Sequence, residues 1–276
     1  MILLPPDRYS VLEKQIKEVQ RNVLFARSVI EKHVSGVIYV DNTTEPRTAL
    51  IAHPYGMLLL MGDSNNIDFN DRFKSYAFNT AKIRVKHEWL ITSSPEWDNV
   101  LNDMFGDSLI KASENSGKEA NGKIELNGRL NFSFNVQKYA QFEKRTIPEH
   151  DLIVKTDTIL FEQMTGSVIP QKFWDNAKDF EANGRGFTLL HKGEIAATVF
   201  SAFVHENLLE IGIETVEKYR GNGYAELICC KLINDCIERG FLPVWSCRAE
   251  NTASVQLAGK LGFETTLSFP FYRLSD

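Results

Sequence analysis

Long apolar runs are absent from this 276-residue chain. No segment approaches the roughly 20 consecutive apolar residues that a membrane span requires. The opening MILLPPDRYS lacks the basic flank, extended apolar stretch and cleavage site of a secretory leader. Runs of positive charge are absent too. The chain has 31 Lys and Arg against 36 Asp and Glu, a formal net charge of -5, whereas a nucleic-acid-binding surface needs a basic face to meet phosphates. Neither nucleic acid nor a membrane is therefore expected as a partner. Cysteine is scarce. Cys229, Cys230, Cys236 and Cys247 include no CxxC pair and the first three fall in one helical stretch, so no disulfide framework and no metal site is expected. A reducing cytoplasm is the compartment that fits such a chain.

What is present is the composition of a soluble globular protein, 43% hydrophobic and 24% charged, which names no function by itself. The length predicts two domains. Between Arg8 and Lys32, Leu12, Ile16, Val19, Val23, Ala26 and Ile30 recur every three or four residues, which predicts one amphipathic helix. GVIYVD and ALIAHPYGMLLLMGD read as strands, as does Lys82 to Thr92, and SPEWDNVLNDMFG reads as a helix capped by Ser94 with Pro95 at its first position. Ala112 to Lys123 has almost no apolar residue and reads as an exposed loop. QFEKRTIPEHD then marks a change of domain, so we expect an N-terminal α/β domain over 1–145 and a second domain over 146–276. The second begins with helices near Thr156 to Met164 and Gln171 to Ala182. Three strands follow in GFTLLHKGEIAATVFSAFVHENLLEIGIETV, turning at Lys192 and Gly193 and again between His205 and Asn207.

After the third of these strands comes YRGNGYA, with Gly221 and Gly223 just before a helical run ending at Gly240. A turn of this kind aims main-chain N–H groups at one point, and the positive end of the helix dipole favours an anion such as a diphosphate there. The glycines permit positive φ and close approach of a ligand. Three phosphate loops compete for the spacing. A Walker A loop needs GKS or GKT, which is missing. A dinucleotide fingerprint needs a small residue where Glu226 stands, which leaves a nucleotide-dependent enzyme as a weak alternative. The third pattern, RxxGxA, is met by Arg220, Gly223 and Ala225.

With that pattern the sequence resembles the GNAT superfamily of N-acetyltransferases. The strand LPVWSC, then Asn251, then a short helix ending in LGF at Gly262 and Phe263, strengthens the resemblance, which covers residues 150–276. The pairing of an N-terminal half with PVWSCRAENTASVQLAGKLGF is similar, more narrowly, to the zwittermicin-resistance type of acetyltransferase. The resemblance implies an α/β (α+β) fold with a mixed, mostly antiparallel sheet flanked by helices, preceded here by a second α/β domain that supplies an acceptor cleft or an interaction surface.

It also implies acetyl-CoA as cosubstrate, with no metal, and direct transfer of an acetyl group to a primary amine of a small molecule, by a monomer or homodimer. The coenzyme would be held by Thr215, Val216, Arg220, Gly221, Asn222, Gly223, Tyr224, Ala225, Asn251 and Ser254. Glu210 and Glu214 lie on one face of their strand, and either is a candidate general base or a surface charge. Ser254 is a candidate partner for the departing sulfur. Many members of the superfamily place a tyrosine acid five residues before the Phe of the GF pair, where Ala258 stands here. That departure keeps a second reading open, a coenzyme A-binding regulatory protein with little or no transferase activity.

Overall fold

The computed structural model describes residues 1–82, 84–114 and 122–276, so most of the exposed loop expected over 112–123 lies outside the described residues. The chain forms two compact units. The first comprises Met1–Leu130, Arg248–Glu250 and Leu267–Asp276; the second comprises Asn131–Cys247 and Asn251–Thr266.

The first unit begins with β1 (Ile2–Leu3), a 3-10 turn at Pro6–Leu12, α1 (Glu13–Lys17) and α2 (Leu24–Ile30). The single helix expected over 8–32 is therefore broken at 18–23. Its apolar stripe is still buried except for the half-buried Val19, but Arg21 turns inward to meet Asp98 at 2.5 Å and the Thr92 carbonyl at 2.9 Å. A buried guanidinium must be paired, and reaching those partners takes the backbone out of the helix. Strands β2 (Val37–Val40), β3 (Thr48–Ala52) and β4 (Met57–Gly62) follow as an antiparallel meander. Next comes α3 (Ile67–Ala77), a helix the sequence reading had missed although Phe69, Phe73 and Ala77 recur at four-residue spacing behind an Asn66 cap. Strand β5 (Glu88–Thr92) is shorter than expected and runs parallel to β4. In α4 (Pro95–Phe105) Ser94 holds the cap position and Pro95 the first turn, yet the serine side chain makes no cap bond. Strand β6 (Leu109–Lys111) pairs with β7 (Ile124–Phe134).

The second unit continues from β7 through α5 (Val136–Gln141), β8 (Asp151–Lys155), α6 (Thr158–Gln163) and α7 (Ala177–Asn183). The expected helix over 171–182 divides into a 3-10 turn at Pro170–Lys172 and α7, whose new start is capped by Asn176 accepting from Asp179 N. Strands β9 (Gly186–His191), β10 (Glu194–His205) and β11 (Leu208–Thr215) form the antiparallel core of this unit, with β8 on the edge of β9. Lys192 and Gly193 turn the first hairpin with φ of 50° and 84°, the left-handed pair that matches strand twist. Helix α8 (Tyr224–Arg239) packs on this sheet and ends as expected at a left-handed Gly240. Strand β12 (Leu242–Arg248) runs parallel to β11, and α9 (Thr252–Lys260) and β13 (Phe263–Leu274) complete the chain. The result is a mixed, mostly antiparallel sheet flanked by helices.

Along α8 the faces run nearly as the spacing predicts: Ile228, Cys229, Leu232, Ile233 and Cys236 are buried. Ile237 is 43% exposed near the helix end, and Glu226 is buried because Arg145 and Lys260 close over it.

Candidate active site

The glycine turn sets the geometry. After β11 the chain makes a 3-10 turn at Glu217–Tyr219, and Gly221 and Gly223 then take φ of 83° and 79°. Gly223 is the N-cap of α8 and offers no side chain to cap it. The first bond of the helix runs from Leu227 N to Gly223 O, so the N–H groups of Tyr224, Ala225 and Glu226 precede the ladder and point out of the helix end. A Cβ on Gly223 would lie 3.0 Å from Nη1 of Arg145, whereas one on Gly221 would meet nothing within 4 Å. Gly221 and Gly223 are thus both favoured for their φ, and a side chain on Gly223 would also crowd the flexible Arg145.

Three cations surround this end of the helix. Arg220, 63% exposed, donates from Nε to Thr215 O at 3.2 Å and stands 3.6 Å from Glu214. Arg145 donates to Glu226 at 2.8 Å, and Lys260 lies 3.8 Å from the same carboxylate. Glu226 would repel an anion at the helix terminus if it stood alone; Arg145 and Lys260 offset that charge.

A gap opens beside the turn. Strands β11 and β12 pair only over Leu208–Glu210 and Leu242–Val244, leaving Ile211–Thr215 beyond the pairing. Val216 N donates to Ala196 O on β10. By the alternation of an antiparallel ladder, the N–H groups of Glu214 and Gly212 also face β10, and those of Ile213 and Thr215 face the gap.

The two candidate carboxylates differ. Glu210 is 6% exposed and sits where a bulge shifts the β10 register. Glu214 Oε2 accepts from Ser167 N at 2.9 Å, Ser167 Oγ at 3.0 Å and Val168 N at 2.8 Å. Glu214 therefore ties the 166–168 segment to β11. Across the gap, Asn251 Oδ1 caps α9 by accepting from Ser254 N at 3.2 Å, and Ser254 Oγ accepts from Trp245 Nε1 at 3.1 Å. Ala258 is fully buried.

The GNAT acetyltransferase family model matches residues 14–272. The chain belongs to that family. It is 28% identical over 250 residues, 90% of this chain and 89% of the other, to an uncharacterized N-acetyltransferase, YdfB, of Bacillus subtilis. Solved structures share the fold. A GCN5-related N-acetyltransferase-like protein from Streptococcus suis aligns with a TM-score of 0.68 at 19% identity, covering 96% of this chain and 98% of that one. A tandem GNAT protein from the clavulanic acid biosynthesis pathway gives 0.59 at 11% identity, covering 99% and 97%.

Sequence reasoning placed the glycine turn of Arg220 to Ala225 just before a helix, where the structure has it. It missed Arg145, Lys260, Asp151 and His191, which approach the turn from distant parts of the chain. The only local hint was the pair of tyrosines flanking RGNG. None of the four cysteines is in a disulfide and all four are buried; burial pushes the Cys229 thiol well up and the Cys236 thiol up to about 12. Among the described residues no group of His, Cys, Asp and Glu could hold a metal, and no helix is long and apolar enough to cross a membrane.

Proposed function

We propose that this acetyltransferase transfers the acetyl group of acetyl-CoA to a primary amine of a small molecule by direct attack. The observation that carries the reading is the uncapped start of α8, behind two positive-φ glycines, next to a strand edge left without a partner. Acetyl-CoA, when bound, supplies the acyl group as an activated thioester. The main chain of Arg220, Gly221, Asn222, Gly223, Tyr224 and Ala225 receives its diphosphate, with the Arg220 guanidinium as a charged donor. Thr215 offers its N–H to the gap and stabilises charge developing on the thioester oxygen. Val216, whose own N–H is engaged with Ala196, closes the strand end beside it. Asn251 spends its oxygen on the α9 cap, which leaves its amide NH2 for the pantetheine arm.

Ser254 accepts a bond from Trp245, so its own O–H proton is available to the departing sulfur. Either Glu210 or Glu214 takes the amine proton; Glu214 Oε2 also holds the 166–168 segment by accepting from three donors. The narrower likeness to the zwittermicin-resistance type belongs to this proposal as well.

Calorimetry with coenzyme A, followed by thiol release from acetyl-CoA over a panel of amines, tests the reading. Binding together with amine-dependent thiol release is the expected result; no affinity for coenzyme A would overturn it. The buried Ala258 in place of a phenol favours the second reading, a coenzyme A-binding regulator. Tight binding with no thiol release over any amine would select it.

A further inference from the structure

The two tyrosines that flank RGNG are both held by one hairpin, the turn between β9 and β10. At the far end, Tyr224 is the first residue of α8 and is buried. Its hydroxyl lies 2.9 Å from His191 Nδ1 and 3.4 Å from Asp151 Oδ1, and the same His191 nitrogen lies 2.6 Å from Asp151. At the near end, Tyr219 donates to Glu194 Oε2 at 2.7 Å, and Lys218 binds the same carboxylate. His191 and Glu194 bracket Lys192 and Gly193, so a single rigid turn grips both sides of Arg220 to Gly223.

Asp151 makes this arrangement hard to explain as packing alone. Its side chain is fully buried, and Oδ2 has no hydrogen-bond partner. A buried carboxylate with an empty oxygen costs stability that an apolar residue would not. What the carboxylate does provide is direction, since it orients the His191 ring that in turn meets the Tyr224 hydroxyl. Burial and Asp151 push the Tyr224 phenol up, which keeps it a donor. The segment between the anchors contains two positive-φ glycines, the least constrained residues a turn can have. Left unanchored, such a segment would lose much conformational entropy on meeting a ligand.

Building on the coenzyme A reading above, we propose that Asp151, His191 and Tyr224, with Glu194 and Tyr219 at the other end, are positioning residues for the donor. They align the N–H groups of the glycine turn before the diphosphate arrives. They touch no reacting atom, so their effect falls on donor affinity and not on the chemical step.

The test is calorimetric titration of the full chain with coenzyme A. Tyr224→Phe and His191→Asn each raise Kd about tenfold, the scale of one lost hydrogen bond in a partly buried site. The double variant binds no more weakly than the weaker single one, because both remove the same contact. Glu194→Gln, at the exposed pin, weakens binding about two- to threefold, and it reports on the proposal even if an inner variant fails to fold. Stoichiometry stays at one site per chain throughout. A purely structural role gives the opposite pattern, reduced stoichiometry with unchanged Kd, and would overturn the proposal. So would unchanged Kd in Tyr224→Phe, His191→Asn and Glu194→Gln while the unsubstituted chain binds, a result that leaves the acetyltransferase reading intact. Absence of binding by the unsubstituted chain removes both.

Discussion

Each unit runs through the same series of elements: a strand, two helices, three antiparallel strands, a helix, a parallel strand and another helix. The third strand and the helix after it end up chemically opposite in the two. In the first unit, α3 starts at Asn66, whose Oδ1 accepts from Phe69 N at 3.2 Å and whose Nδ2 donates to Asp41 at 2.9 Å and Thr48 Oγ1 at 3.1 Å. Asp63 and Asp68 stand at the same end. That helix caps one of its own donors with a side chain and carries negative charge where an anion would dock. In the second unit α8 starts at a glycine with no cap and has Arg220, Arg145 and Lys260 around it. The strands differ in parallel. Strand β4 stays paired with β5 from Met57 to Leu60, out to Thr92 at the end of β5, whereas β11 leaves β12 after Glu210. On the coenzyme A reading proposed above, the same order of elements would take a donor only where cap and pairing are both withheld, because a ligand's hydrogen bonds must come from groups the fold has not already used.

The largest effect that could break this comparison is Gly223→Val. A branched residue is strained at φ 79° and its Cβ meets Arg145, so coenzyme A should bind at least about a hundredfold more weakly; a calorimetric Kd near that of the unsubstituted chain would remove the second unit's claim to the site. Next in size, Arg220→Ala should raise Kd about tenfold and flatten its salt dependence. Arg47→Ala, which removes a cation beside Asp41 and Asp63 in the first unit, should change neither. Asn66→Ala should lower stability by about 1 kcal/mol and Tm by a few degrees in a thermal melt. It should leave coenzyme A affinity unaltered, and a drop in affinity would mean that the first unit takes part in donor binding.

The smallest effect concerns pH. The Cys236 thiol rises from 9.0 to about 12 on folding, mainly by burial. Its contribution to stability is complete below about pH 9, where both states hold the proton, and is lost as pH climbs toward 12. All four thiols lie in the second unit. A thiol reagent at pH 8 should therefore leave the native chain unmodified, and reactivity should appear with unfolding at alkaline pH. Fast reaction at pH 8 would show that this unit's core opens locally.

Particular elements mark how far the residues could be read. YRGNGYA, the helical run after it and the Gly240 stop were legible because each depends on contacts within a few residues or on one helical period. The break at 18–23 was not, since it follows from Arg21 reaching Asp98 across 77 positions. Nor was the burial of Glu226, which required Arg145 from 81 positions away. Glu210 and Glu214 share a strand face by alternation, but only the folded chain separates them, by bringing Ser167 and Val168 onto Glu214.

By itself the order of residues determined the glycine turn and the helix it starts, because backbone preference and apolar period act locally, while the mixed sheet and the family followed from the likeness of its motifs to known acetyltransferases. Tertiary structure alone decided which N–H groups lie beyond the strand pairing, which segment Glu214 holds and which hairpin holds the turn. Hydrogen-bond partners far apart in the chain are chosen by packing, and no short-range pattern records that choice.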